Sequence, residues 1–147
     1  MKRCIVVSNF YPRISERLIK GALNKLKEKK ISNFNLINVP GTYEIPVLIS
    51  NLINKYDGFI VLGCVIKGKT PHFNYLCSSV FQSLTNLSIN NKKPIGNGIL
   101  TCNNKKQAIE RADPRKKNKG GAAAEAVVAL LNIFKKWKIM KFSKTPG

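Results

Sequence analysis

The chain has 147 residues, 44% of them hydrophobic, and 26 Lys plus Arg against 7 Asp plus Glu, a formal net charge of +19. Length and apolar content are those of one ordinary globular domain with a real core. No apolar run approaches the roughly 18 residues needed to span a bilayer, which excludes a membrane-spanning helix, and the apolar part of the start is too short for a signal peptide.

In chain order, Cys4 to Val7 predicts a short buried strand. The loop from Ser8 to Arg13 follows, and Ser15, Glu16 and Arg17 open a helix. Its apolar positions Leu18, Ile19, Ala22, Leu23 and Leu26 keep helical spacing. Phe34 to Val39 predicts a second strand, stopped by Pro40-Gly41. Glu44 to Asn54 reads as a helix with Ile45, Leu48, Ile49, Leu52 and Ile53 on one face. Gly58 to Ile66 is a continuous apolar run, which suits a parallel strand covered on both faces. Asn74 to Ile89 predicts a helix, and Ile95 to Thr101 a fourth strand weakened by Gly96 and Gly98. Lys105 to Ala112 is a short helix and Asp113 to Lys119 a basic loop. Gly120 to Lys136 is the last long helix, and residues 138–147 form a loose basic tail. Strands alternating with helices predict a single α/β domain on a parallel sheet.

The charge admits two functional readings: a nucleic-acid binder, or an enzyme whose field attracts anionic substrates. Lysine-rich composition drift is the third. The basic residues are spread along the chain and do not interleave with aromatics as in RNA-recognition strands. Of the four cysteines, Cys4 and Cys64 fall inside apolar runs, and none forms a Cys-x-x-Cys pair. Neither a zinc site nor a disulfide is expected. No glycine-rich nucleotide-binding motif is present.

Loops at the carboxyl ends of parallel strands share one edge, where such sheets bind ligands. The first such loop carries Phe10 and Tyr11, the second Gly41-Thr42-Tyr43-Glu44, the third Lys69, Thr70 and His72, and the fourth follows Ile99. Phe10 and Tyr43 suit stacking on a flat heteroaromatic ring, with capping of the core as the alternative. Glu44 suits a polyhydroxyl chain, with helix capping as the alternative. Thr70 and the amides of Lys69 and Thr70 suit a phosphate, and Arg111 suits the same phosphate unless it lies on a solvated face with Glu110. His72, the only histidine, is the candidate proton carrier.

These segments together resemble the lumazine synthase family. Val-Pro-Gly-Thr-Tyr-Glu-Ile-Pro (Val39 to Pro46) is similar to one family signature, and Leu-Gly-Cys-Val-Ile-Lys-Gly-Lys-Thr-Pro-His-Phe-Asn-Tyr (Leu62 to Tyr75) to a second. Gly98 to Thr101, Gln107-Ala108, Glu110 to Ala112 and Asn118 to Gly120 match a third in order and spacing. The resemblance runs from about Ile5 to Trp137. It implies a flavodoxin-like, three-layer α/β/α sandwich around a four-stranded parallel sheet.

It further implies a cytoplasmic transferase of riboflavin biosynthesis. That enzyme condenses 5-amino-6-ribitylaminouracil with 3,4-dihydroxy-2-butanone 4-phosphate to 6,7-dimethyl-8-ribityllumazine, without metal or organic cofactor. A homologue that only binds riboflavin or lumazine is the alternative. Carried over by position, Phe10 stacks on the pyrimidine, and Thr42, Tyr43 and Glu44 bind the ribityl-pyrimidine. Cys64, Val65 and Ile66 line the ring pocket. Lys69, Thr70 and Arg111 hold the butanone phosphate, His72 moves protons, and Lys119 reaches the ribityl chain. Family sites lie between two subunits, which implies a homopentamer with Asn97 and Arg111 supplied by the neighbour, and neither nucleic-acid nor membrane partners. Asn97 stands where many members have Phe, Tyr43 where Phe is usual, Tyr11 where Asn is frequent and Lys67 where Arg is usual. Pro114 and the cluster Arg111, Arg115, Lys116, Lys117 and Lys119 predict a free pentamer in preference to a sixty-subunit shell.

Overall fold

Six residues at the amino terminus, Arg3–Ser8, are buried without exception, and they form β1 at the centre of the fold. The structure, a computed structural model, describes the backbone of residues 1–144 and the side chains of residues 1–138. After β1 come α1 (Pro12–Glu28), β2 (Phe34–Val39), one 3-10 turn (Thr42–Glu44), α2 (Ile45–Leu52) and β3 (Gly58–Ile66). Then follow α3 (His72–Asn91), β4 (Ile95–Cys102), α4 (Lys105–Ala112) and α5 (Lys119–Lys144). The four strands are all parallel in the order β2-β1-β3-β4, with Cys4 beside Asn35 and Phe59, and Phe59 beside Ile95.

Strand alternation splits the core into two layers. Ile5, Val7, Ile60 and Leu62 face Leu18, Leu26 and Val127 of α1 and α5. Cys4, Val6, Phe59 and Val61 face Ile45, Ile49, Val80 and Leu84 of α2 and α3. The result is the three-layer α/β/α sandwich on a four-stranded parallel sheet.

Several boundaries differ from those expected, for local reasons. The first helix starts at Pro12, three residues before Ser15, because proline's fixed φ suits the first helical turn. Ser15 does not cap it. Its Oγ donates to the carbonyls of Ser8 (2.8 Å) and Tyr11 (3.0 Å), which ties α1 to the end of β1. The expected helix from Glu44 is a 3-10 turn and then α2, with Pro46 in its first turn. The third helix begins at His72, behind Pro71, so His72 leaves its expected loop and becomes the first residue of α3. The last helix continues past Lys136 to Lys144, so residues 138–144 of the expected loose tail are helical. Residues 145–147 of that tail lie outside the described residues.

The α4–α5 connection is held from within. Asp113 Oδ1 accepts from the Arg115 backbone N–H at 2.9 Å, and the Asp113 carbonyl accepts from the backbone N–H groups of Lys116 and Asn118, each at 3.0 Å. Asn118 takes a left-handed φ of 46° there, a region asparagine tolerates. The Arg115 N–H, followed by the charges of Arg115, Lys116 and Arg17, holds the Asp113 carboxyl below its ordinary range. A depressed carboxyl stabilises the fold above its unfolded value and loses that contribution as pH falls through the folded one. Asp113→Asn is therefore expected to unfold at a lower temperature than wild type at neutral pH, with the gap closing in acid below about pH 4. Thermal unfolding followed by circular dichroism across that range checks it; a gap that widens in acid refutes it.

Candidate active site

Because all strands are parallel, the connections after β1, β2 and β3 leave the same edge of the sheet. A cavity of about 570 Å³ opens there. Cys64, Val65 and Ile66 at the end of β3 line it together with Leu76 of α3. Thr42, Tyr43 and Glu44 of the 3-10 turn form a second wall, and Phe10 and Tyr11 a third. Phe10 is 67% exposed and Tyr43 68%, so neither ring caps the core; both present apolar faces to the opening. The Phe10 and Tyr11 rings meet edge to face at 4.9 Å. Glu44 precedes α2 and its side chain makes no capping hydrogen bond, so among the described residues its carboxylate is not committed to the helix.

His72 is exposed on the cavity wall at the first position of α3. Its backbone N–H donates to Thr70 Oγ1 at 3.4 Å. Lys69 and Thr70 are exposed in the loop just before it and do not line the cavity.

The remaining expected residues lie elsewhere. Asn97, Arg111 and Lys119 line a second cavity of about 470 Å³ along β4 and the α4–α5 connection. The two cavities share no lining residue. Arg111 is not on a solvated face with Glu110: its Nη1 donates to the Thr101 carbonyl at 3.0 Å and approaches Cys102 Sγ at 3.6 Å. Lys117 lines the same cavity, so Arg111, Lys117 and Lys119 face it with no carboxylate among its lining. Such a site suits an anion rich in acceptor oxygens.

Sequence reasoning missed Lys117 and Leu76 as site residues. Lys117 was visible only as part of a charge cluster. Leu76 stands four residues after His72, on the same helical face, which is a readable signal.

Cys4 and Cys64 are held as thiols. Burial, then the neighbouring Cys102, pushes Cys64 up to about 12, and burial pushes Cys4 up to about 11. Only the thiolate attacks electrophiles. Iodoacetamide near pH 8 is therefore expected to leave Cys4 and Cys64 unmodified in the folded protein and to label both in denaturant, as mass spectrometry of peptides would show. Burial also raises the Tyr11 phenol. No group of three or more His, Cys, Asp or Glu able to hold a metal occurs among the described residues. No helix among them is long and apolar enough to cross a membrane.

A sequence model for 6,7-dimethyl-8-ribityllumazine synthase matches residues 1–135. Among the relatives, the 6,7-dimethyl-8-ribityllumazine synthase of Bartonella tribocorum is 43% identical over 137 residues, 90% of this chain and 89% of the relative. That of Bartonella henselae is 41% identical over 143 residues, covering 94% and 92%. That of Mycobacterium leprae is 39% identical over 135 residues, covering 88% and 84%.

Proposed function

Because the chain belongs to the 6,7-dimethyl-8-ribityllumazine synthase family, we propose that its two cavities are the halves of one active site, joined when two copies meet. The enzyme condenses 5-amino-6-ribitylaminouracil with 3,4-dihydroxy-2-butanone 4-phosphate, the penultimate step of riboflavin biosynthesis. The amine and the ketone form an imine with loss of water. Phosphate leaves by elimination, the enol left behind becomes a ketone at the neighbouring carbon, and the ribitylamino nitrogen closes on that new carbonyl with loss of a further water. The product is 6,7-dimethyl-8-ribityllumazine. Holding the two reactants in contact supplies much of the acceleration.

One observation carries this reading: the aromatic, acidic and imidazole groups line one cavity, while the cations line another. In the first half, Phe10 and Tyr43 hold the pyrimidine between apolar faces. Glu44 accepts from the ribityl hydroxyls, with Thr42 beside it. The ring rests on Cys64, Val65 and Ile66. Lys69 and Thr70 lie next to His72, which moves the protons, and they flank the place where phosphate departs. In the second half, Arg111 clamps the phosphate and Lys119 reaches the ribityl chain. No step calls for a metal or an organic cofactor.

Asn97, Arg111 and Lys119 then come from a neighbour in a closed ring of subunits, and a free pentamer is the assembly proposed. Val47, Tyr75 and Ile89 of α2 and α3 are 62–73% exposed, apolar surface that a second copy would cover. The positive cluster around Arg115 opposes further association into a shell. The whole chain is taken as one domain, since both helical layers pack on one sheet, and the cytoplasm is the compartment proposed for it.

Mixing the purified protein with both substrates and following lumazine absorbance tests the reading. Product should form with wild type. Arg111→Ala should raise KM for the butanone phosphate by about 10- to 100-fold, the loss of one charge-assisted phosphate contact. No product, with tight riboflavin binding, would mean instead a binding protein on the same fold. Sedimentation gives the assembly, and a particle near megadalton mass would overturn the free pentamer.

A further inference from the structure

β4 ends on Cys102, which is 1% exposed. Its side chain packs on the α1–α5 side of the sheet, in one cluster with Cys64, Leu100, Ala108 and Ala112. A sulfur in such a place is ordinarily a small apolar filler. Here two donors reach it. Arg111 of α4 directs Nη1 at Cys102 Sγ across 3.6 Å, and the Cys64 thiol hydrogen-bonds the same side chain from β3. Cys64 lines the first cavity and Arg111 the second, so Cys102 stands between the wall of one and the cation of the other.

A guanidinium carries five N–H groups in one rigid plane, one on Nε and two on each terminal nitrogen. Both N–H groups of Arg111 Nη1 find acceptors within the chain, the Thr101 carbonyl at 3.0 Å and Cys102 Sγ at 3.6 Å. The bond to Thr101 alone would be a pivot about which the plane could swing. A second bond from the same nitrogen, to a buried side chain, stops that swing. Nε and Nη2 have no partner among the described residues. Their parallel N–H pair is the side-on edge that matches two oxygens of a phosphate. Lys117 and Lys119 line the same cavity as point charges, without such an edge.

We propose that Cys102 is a positioning residue for the phosphate clamp: by accepting from Nη1 beside the Thr101 carbonyl, it fixes the plane of Arg111 so that Nε and Nη2 meet phosphate oxygens side-on. The sulfur itself never touches substrate. Its effect is to order a long side chain before the phosphate arrives, so that less freedom is lost on binding. That effect belongs to binding of the phosphate reactant and not to proton transfer, and it shows in KM and not in kcat. This inference rests on the reading of Arg111 as the phosphate clamp.

Valine and threonine have nearly the same shape, and only threonine brings an acceptor, so Cys102→Val and Cys102→Thr separate the hydrogen bond from packing. Expected for Cys102→Val is a KM for the butanone phosphate raised about 2- to 10-fold, the loss of one hydrogen bond. Competitive inhibition by inorganic phosphate should weaken by the same factor, while kcat and KM for the pyrimidine stay as in wild type. Cys102→Thr should return both altered values toward wild type. Cys102→Ala takes the place of Cys102→Val if the valine variant fails to fold. A wild-type KM in the variant without an acceptor overturns the role of Cys102. Equal impairment with and without the threonine hydroxyl overturns it too, since packing alone then explains the loss. Wild type that forms no lumazine, or Arg111→Ala with an unchanged KM, overturns the reading of the clamp, and this inference with it.

Discussion

Replacing His72 with alanine is expected to lower kcat by about 10²- to 10⁴-fold and to leave KM for both substrates nearly unchanged. Imine formation, phosphate loss and ring closure each need a proton delivered or removed, and a positioned acid or base is worth about that much. The groups lining the first cavity leave few choices. Cys64 is pushed up to about 12 and the Tyr11 phenol is also raised, so both stay protonated near neutrality. Glu44 is assigned to the ribityl hydroxyls. His72 is the only histidine in the chain, and an imidazole offers one nitrogen that donates a proton and one that accepts it. It sits at the start of a 20-residue helix, which fixes its backbone while leaving its ring exposed. Steady-state kinetics on the variant, corrected for the uncatalysed condensation, decides the point. A wild-type kcat would remove His72 from the mechanism, and a raised KM with unchanged kcat would make it a binding group.

Gly120→Ala is expected to destabilise the protein by about 3 kcal/mol, the upper part of the ordinary range for overpacking a close-packed contact. Gly120 lies in the first turn of α5, where the helix passes α1. A Cβ there would strike the Leu18 carbonyl oxygen and lie 2.9 Å from its carbon and 3.0 Å from its Cα. These are backbone atoms of a helix, so no side-chain rotation relieves the clash, and the two helices must separate. The ion pairs of Lys25 (3.6 Å) and Lys29 (3.5 Å) with Glu125 join the same helices, but they lie at the surface, partly open to water, and contribute little. In a chain of this size each kcal/mol lowers the unfolding temperature by about 2–4 °C, so a fall of about 6–12 °C is expected. Gly68→Ala, where nothing lies within 4 Å of the added Cβ, is the control and should leave stability alone. Moving the start of α5 also displaces Lys117 and Lys119, so activity should fall at temperatures where the variant is still folded. Equal melting of the two variants would show that the α1–α5 contact gives way.

Strand positions were legible in the sequence because buried parallel strands are continuous apolar runs between turn residues. Phe34–Val39 and Gly58–Ile66 match their expected bounds, and α4 matches over Lys105–Ala112. Helix starts were less legible where proline decides them. Pro12 and Pro71 each extend a helix toward its amino end, and the second moves His72 out of a loop. The motifs named the chemistry of the candidate residues, since stacking, proton transfer and phosphate binding each demand particular side chains. What they left open was placement and commitment. Whether Phe10 and Tyr43 cover the core or face an opening depends on the layers that surround them. Whether Arg111 pairs with Glu110 or turns to the Thr101 carbonyl depends on how α4 lies against β4. Gly96 and Gly98 look like a weak strand in the sequence, but the tertiary structure explains Gly96: a Cβ there would strike the Ala123 carbonyl oxygen of α5. Sequence by itself determined the fold class, the family and the kinds of groups available, because periodicity and residue chemistry are local properties. Only the tertiary structure divided those groups between two cavities and held Arg111 against Thr101 and Cys102, because cavity walls and hydrogen-bond partners come from separate segments of the chain.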